Sequence, residues 1–197
     1  MRAPEQRGDG GHWLGRVLAA DKTLAKEWLR RRLAQRPPPT LIGPSPVIDA
    51  IGVLDVADRR ELVTELAVEF SSGFIAKQLV GFSTEVYDAL LAQEDLKPLH
   101  LAPLWGRPSG TWASLAHLAL DYGYSEEELA DAAYGGMHSW TGDESKMWET
   151  WVASFSELDT HSDSRMIDIQ KRGIEVATYR RDRARTRERD QQIFGID

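Results

Sequence analysis

The residues best suited to bind a charged partner lie near the C-terminus, in "YRRDRARTRERD". If this segment continues a helix, Arg181, Arg185 and Arg189 form one row, each four residues from the next. Guanidinium groups in such a row can bind the phosphates or carboxylates of a partner. Because the arginines are not interleaved with aromatic residues, the pattern favours these contacts over base stacking. The alternative is a solvent-exposed terminal helix that is stabilised by pairs such as Asp182 with Arg185.

A second candidate is the stretch "AAYGGMHSWTGDESKMWETW", residues 132 to 151. His138 and Trp140 could belong to a loop that contacts a ligand. The favoured interpretation is a turn between two packed helices, in which Thr141 caps the second helix and Glu144 closes a capping box. Trp148 and Trp151 then fall at helical spacing and are predicted to be buried.

The histidines and acids suggest no catalytic or metal centre. His117 and Asp121 share a helix face, and His161 and Asp163 flank a turn. Two such ligands do not make a zinc or iron site, which needs three or four. The sequence also lacks the glycine-rich phosphate loop, the dinucleotide-binding motif and the nucleophile elbow of hydrolases. We therefore predict no catalytic residue, no metal and no cofactor.

Nearly every periodic segment is typical of a helix, with apolar residues three and four positions apart. About ten helices are predicted. Most are opened by capping residues, and Gly123 is predicted as a left-handed C-terminal residue. The predicted N-terminal caps and capping boxes are Asp21, Ser45, Asp58 with Glu61, Ser83, Ser125 with Glu128, Thr141 with Glu144, and Asp163. No segment alternates apolar and polar residues for long enough to predict a strand.

These helices are joined mostly by short turns, so successive helices are expected to pack as antiparallel neighbours. The predicted fold is all-α, an irregular array of antiparallel helix pairs, with an irregular helical bundle as the alternative. The predicted organisation is a flexible leader over residues 1–11, a helical-repeat domain over 12–178 and an arginine-rich helical extension over 179–197.

Composition limits the classes of function. The chain has 197 residues, a net charge of −7 and no cysteine. Without cysteine there are no disulfides, thiolate zinc sites or cysteine nucleophiles, which fits an intracellular, cytoplasmic protein. The acidic balance disfavours unspecific binding to DNA or membranes by the whole chain, and no apolar run approaches the roughly 20 residues that span a bilayer.

The stretch "FSELDTHSDSRMIDIQKRGIEVA" resembles a HEAT-type repeat, with Leu158, Asp163 and Arg165 at the turn between its two helices. The chain is also similar in texture to C-terminal helical regions of large bacterial multidomain proteins, some of them associated with defence against phage. The segments "LAADKTLAKEWLRRRL" and "RRDRARTRERDQQIFG" carry this similarity. HEAT-like proteins bind protein or nucleic acid and imply no catalytic residues.

The expected function is therefore a non-enzymatic interaction or scaffold module, whose partner is another protein or subunit. Two alternatives remain. One is a nucleic-acid-binding helical protein that uses the arginine row. The other is an enzyme without a recognisable motif, which a pocket with converging His, Asp and Glu side chains would support.

Overall fold

The computed structural model describes residues 9–34, 46–66, 72–135, 142–160 and 163–194. Within these ranges the chain is all-α, as predicted, and has no strand. It divides into two compact units, unit 1 (Met1–His100) and unit 2 (Leu101–Asp197). None of the helices in the described ranges combines the length and the apolar character needed to cross a bilayer.

Unit 1 contains seven helices in its described residues, and α1 packs on α3 while α4 packs on α6. Their shared core includes Leu29, Leu62 and Leu90, each with no exposed surface. The Tyr87 hydroxyl, also buried, donates a hydrogen bond to the carbonyl of His100 at 2.6 Å. The helices are α1 (Asp9–Ala20), α2 (Lys22–Leu33), α3 (Pro46–Gly52), α4 (Val56–Leu66), α5 (Gly73–Val80), α6 (Thr84–Leu91) and α7 (Lys97–His100).

A ladder of ion pairs joins α2 to the start of α4. Lys26 Nζ lies 2.7 Å from Asp58 and 2.5 Å from Glu61. Asp58 and Glu61 were predicted to form a capping box, and this prediction is wrong. The helix begins at Val56, and the carboxylate of Asp55 accepts the Asp58 N–H instead. Asp58 and Glu61 therefore lie inside the helix, where their side chains meet the lysine of α2.

Unit 2 contains α8 (Gly110–Asp121), α9 (Glu126–Tyr134), α10 (Glu144–Ser156) and α11 (Arg165–Phe194). A short 3-10 helix, Ala102–Leu104, precedes them, and its Leu104 carbonyl accepts a hydrogen bond from buried Trp112 at 2.7 Å. The most extensive packing joins α10 to α11, and α9 also packs on α11. Trp148 and Trp151 of α10 are buried, as predicted.

The observed organisation differs from the predicted boundaries in two places. Helix α1 begins at Asp9, inside the segment predicted as a leader. The arginine-rich segment forms the second half of the 30-residue α11 and belongs to the same compact unit as α8 to α10. The division between the two units falls between His100 and Leu101, in a proline-containing stretch of short helices.

Most predicted caps are present. Asp21, Ser83 and Ser125 each accept a hydrogen bond from a backbone N–H in the first turn of their helix, and Ser125 with Glu128 forms the complete capping box. Gly123 has a φ of 89°, which is left-handed as predicted. Asp163 accepts the Arg165 N–H at the start of α11. Ser45 lies outside the described residues.

Candidate anion-binding groove

Helix α10 begins at Glu144, and the side chain of Asp143 at its N-cap makes no capping hydrogen bond. The capping box predicted for Thr141 and Glu144 falls partly outside the described residues, because Thr141 is not among them. The candidate ligand residues His138 and Trp140 also lie outside them.

The missing capping acceptor comes from α11. Glu188 accepts the backbone N–H of Ser145 at 3.0 Å and the Ser145 hydroxyl at 2.6 Å. These hydrogen bonds, the hydroxyl first, lower the pKa of Glu188 below its usual value. A carboxylate at this position also complements the positive end of the α10 dipole. The contact fixes the arginine-rich half of α11 against the start of α10.

A cluster of aromatic rings holds the middle of α11 against α9 and α10. Tyr134 stacks against Trp151 with ring centroids 4.9 Å apart and lies 5.8 Å from Trp148. Its hydroxyl donates to the carbonyl of Gly173 at 2.7 Å. Burial raises the pKa of Tyr134 well above its usual value, so the phenol stays protonated and remains a donor.

Arg180 closes this cluster at the surface. Its guanidinium carbon lies 5.0 Å from the Trp148 ring centroid and 5.4 Å from that of Tyr134. One turn further along α11, Arg183 lies over the ring of Tyr179 at 5.8 Å. Stacking on an aromatic face leaves the N–H donors at the edge of a guanidinium free to bind other groups.

These residues line a groove of about 400 Å³. We call it the arginine groove, and its lining residues are Glu144, Trp148, Tyr179, Arg180, Arg183 and Arg187. Among the described residues that line it, Glu144 is the one acid, and its carboxylate already has partners. It accepts a hydrogen bond from Trp148 Nε1 at 3.2 Å and pairs with Arg187 at 2.7 Å.

The arginines predicted from the sequence lie in a different row. Arg185 pairs with Glu149 of α10 at 2.5 Å, and Arg181 pairs with its neighbour Asp182 at 2.9 Å. Arg189 is exposed. None of these three lines the arginine groove. The Arg185–Asp182 pair of the alternative interpretation is present only at 4.0 Å.

The arginines of the groove could not be predicted from the sequence, because helical periodicity alone does not show which row of arginines on α11 faces the neighbouring helices. Arg180, Arg183 and Arg187 are spaced by three and four residues, which fits one helix face as well as the spacing of the predicted row does. Trp148 and Tyr134, whose rings Arg180 approaches, come from other helices. One feature of the sequence does indicate the groove. Tyr179 directly precedes the arginines and places an aromatic ring on the same helix face as Arg183.

Beside a second pocket in unit 2, His117, Asp121 and Asp163, which the sequence presented in separate pairs, lie close together. His117 Nδ1 lies 3.1 Å from Asp163, and Arg165 bridges Asp163 and Asp121 at 2.7 and 2.9 Å. The hydrogen bond from Arg165 is the main cause of a strongly lowered pKa of Asp163. The pocket measures about 390 Å³ and is lined by Pro108, Ser109, Gly110, Ala113, Ser114, His117, Ser154, Glu157, Leu158 and Asp159.

This pocket is the place to which the enzymatic alternative points, since His117, Glu157 and Asp159 all line it. An activated serine needs a base within hydrogen-bonding reach, and two of the serine hydroxyls that line the pocket donate to backbone carbonyls instead. The Ser114 hydroxyl donates to the Gly110 carbonyl and that of Ser154 to the Thr150 carbonyl. In the described part of the chain, no three His, Asp or Glu side chains converge as a metal site.

The other histidine whose side chain the structure describes, His100, has a structural environment. It is 2% exposed, its Nε2 lies 2.9 Å from the Gln93 carbonyl oxygen, and burial lowers its pKa.

No protein-family model, curated protein or solved structure matches the chain.

Proposed function

We propose that this chain is a non-enzymatic interaction module that binds an anionic partner in the arginine groove. The observation that carries the proposal is the state of Arg180 and Arg183. Both residues are exposed, both guanidiniums lie over aromatic rings, and in the described residues neither pairs with a carboxylate. Two immobilised cations with free donors fit carboxylate or phosphate oxygens.

The chemistry of the groove favours binding over catalysis. Its polar groups are hydrogen-bond donors of fixed charge, and Arg cannot act as a general base at neutral pH. The carboxylate of Glu144 is neutralised by Arg187 and Trp148. An acidic segment of another protein and a nucleic acid both present the oxyanions that such a site binds. The resemblance to HEAT-like repeats and to helical regions of bacterial defence-associated proteins extends the proposal to a scaffold or subunit of a larger assembly.

The test compares two double variants of equal charge on the same helix. Arg180→Gln with Arg183→Gln removes the two groove cations that pair with no described carboxylate, whereas Arg185→Gln with Arg189→Gln removes two cations from the other row. Binding to two labelled polyanions, polyglutamate and oligothymidylate, is measured by fluorescence anisotropy. Because a hydrogen bond to a charged group contributes roughly 1.5–3 kcal/mol, the groove double variant is expected to lose more than about tenfold in affinity.

The control double variant is expected to bind within about threefold of the parent, since an exposed pair such as Arg185–Glu149 contributes little to stability. Equal losses in the two double variants would show that only the net charge of α11 matters. Failure of the parent chain to bind either polyanion would remove the proposal itself.

A further inference from the structure

Tyr179 is the groove residue that an acidic peptide does not need. It is 61% exposed, although Trp148 at the floor of the same groove is 2% exposed. Arg183 approaches its ring at 5.8 Å and still leaves most of the residue accessible. Unpaired bases stack on open aromatic rings of this kind, and every base offers a suitable face.

The order of groups along α11 also fits a strand. Tyr179, Arg183 and Arg187 follow each other at intervals of four residues, so they lie on one face about 6 Å apart along the helix axis. A base on the first group therefore places the following phosphates beside the next two. The basic segment is local, with six arginines against three acids in residues 179–194, whereas the whole chain has a net charge of −7.

A duplex fits these groups poorly. Its bases are stacked on one another, so their faces are not available to an aromatic ring, whereas single strands can splay their bases out. Arginine can also contact a base face, as the guanidinium of Arg180 lies over the rings of Trp148 and Tyr134 here.

We infer that the arginine groove binds single-stranded nucleic acid, with a base stacked on Tyr179 and phosphates on Arg183 and Arg187. The inference rests on the proposed function, because it specifies the anionic partner of the same groove. It adds a residue, Tyr179, whose contribution does not depend on charge.

The experiment uses the full chain and three probes of similar length: oligothymidylate, a duplex of mixed sequence and polyglutamate. The variants are Tyr179→Ala and the matched Tyr179→Phe, which keeps the ring and removes only the hydroxyl. We expect the parent chain to prefer the single strand to the duplex. Tyr179→Ala should lose about 5- to 150-fold in affinity for oligothymidylate, whereas Tyr179→Phe should bind as the parent does.

Circular dichroism melting of each variant controls for folding, and Tyr179 is exposed enough for both variants to fold. If Tyr179→Ala binds oligothymidylate as tightly as the parent, the stacking inference is overturned. If polyglutamate binds through Arg183 and Arg187 while oligothymidylate does not bind, the partner is an acidic protein, and the proposed function stands without this inference. If no probe binds, both proposals fail.

Discussion

Gly173 is a point of close approach between α11 and α10. A side chain there would overlap the ring of Phe155, which is fully buried between the helices. Alanine favours a helix over glycine by about 1 kcal/mol, but forcing a methyl group into a packed core costs typically 1–3 kcal/mol. Since the Phe155 ring is confined by Tyr134 and Trp151, we expect Gly173→Ala to lower the urea midpoint of unfolding.

Gly110→Ala is the matched control, because a methyl group at this helical glycine of α8 meets nothing within 4 Å. It should leave the midpoint unchanged or raise it. A Gly173→Ala variant as stable as the parent would show that the Phe155 ring can move aside, and that α11 is held less closely than the structure indicates.

The roles of single residues were the least predictable feature. Burial of Trp148 follows from its spacing on an apolar stripe, which is a property of its own helix. The stacking of Arg180 on that same ring depends on which face α11 turns toward α10. Nothing in the local sequence indicates that orientation, so the predicted arginine row is not the one that lines the groove.

At the scale of helices, Glu188 links the two elements that build the site. It occupies the place of an N-cap for α10 although it belongs to α11. Replacing a capping side chain with alanine typically costs about 0.5–2 kcal/mol, so Glu188→Ala should be destabilised by an amount in this range at neutral pH. Asp190→Ala removes an exposed carboxylate from the same helix and should have little effect.

The effect of Glu188→Ala should also depend on pH. The folded-state pKa of Glu188 lies below its usual value of 4.5. The charge therefore stabilises the fold fully above the unfolded-state pKa, and this stabilisation is lost as the pH falls through the folded-state pKa. Urea unfolding at neutral pH and at about pH 3 should show a smaller difference between variant and parent in acid. A difference of equal size at both pH values would exclude the charged contact.

The local sequence predicted the helices and the caps formed by residues next to them. It did not predict a cap supplied by a residue of another helix. Ser125 and Glu128 are three residues apart, so both halves of their box appear in one short stretch. Glu188 and Ser145 come from different helices, and only the packing of α10 on α11 brings them together.

At the scale of the whole molecule, the all-α class follows from the 3.6-residue periodicity and from the absence of alternating segments. The division into two units could not be predicted from the same pattern, because helix pairs recur on both sides of His100 with similar spacing. The arginine segment was predicted as an extension because its composition changes at residue 179. The packing continues past that residue, because α10 and α11 remain in contact at Arg185 with Glu149 and at Arg187 with Glu144.

The central claim is that an anionic partner binds the arginine groove of α11 and not the neighbouring row. The most direct measurement is an isotope-edited NMR titration that follows the Nε–H resonances of the arginines as a short oligothymidylate is added to the full chain. We predict that the resonances of Arg180, Arg183 and Arg187 shift together and saturate, while those of Arg181 and Arg189 move little. Shifts confined to Arg181, Arg185 and Arg189, or equal shifts across all six arginines, would contradict the claim.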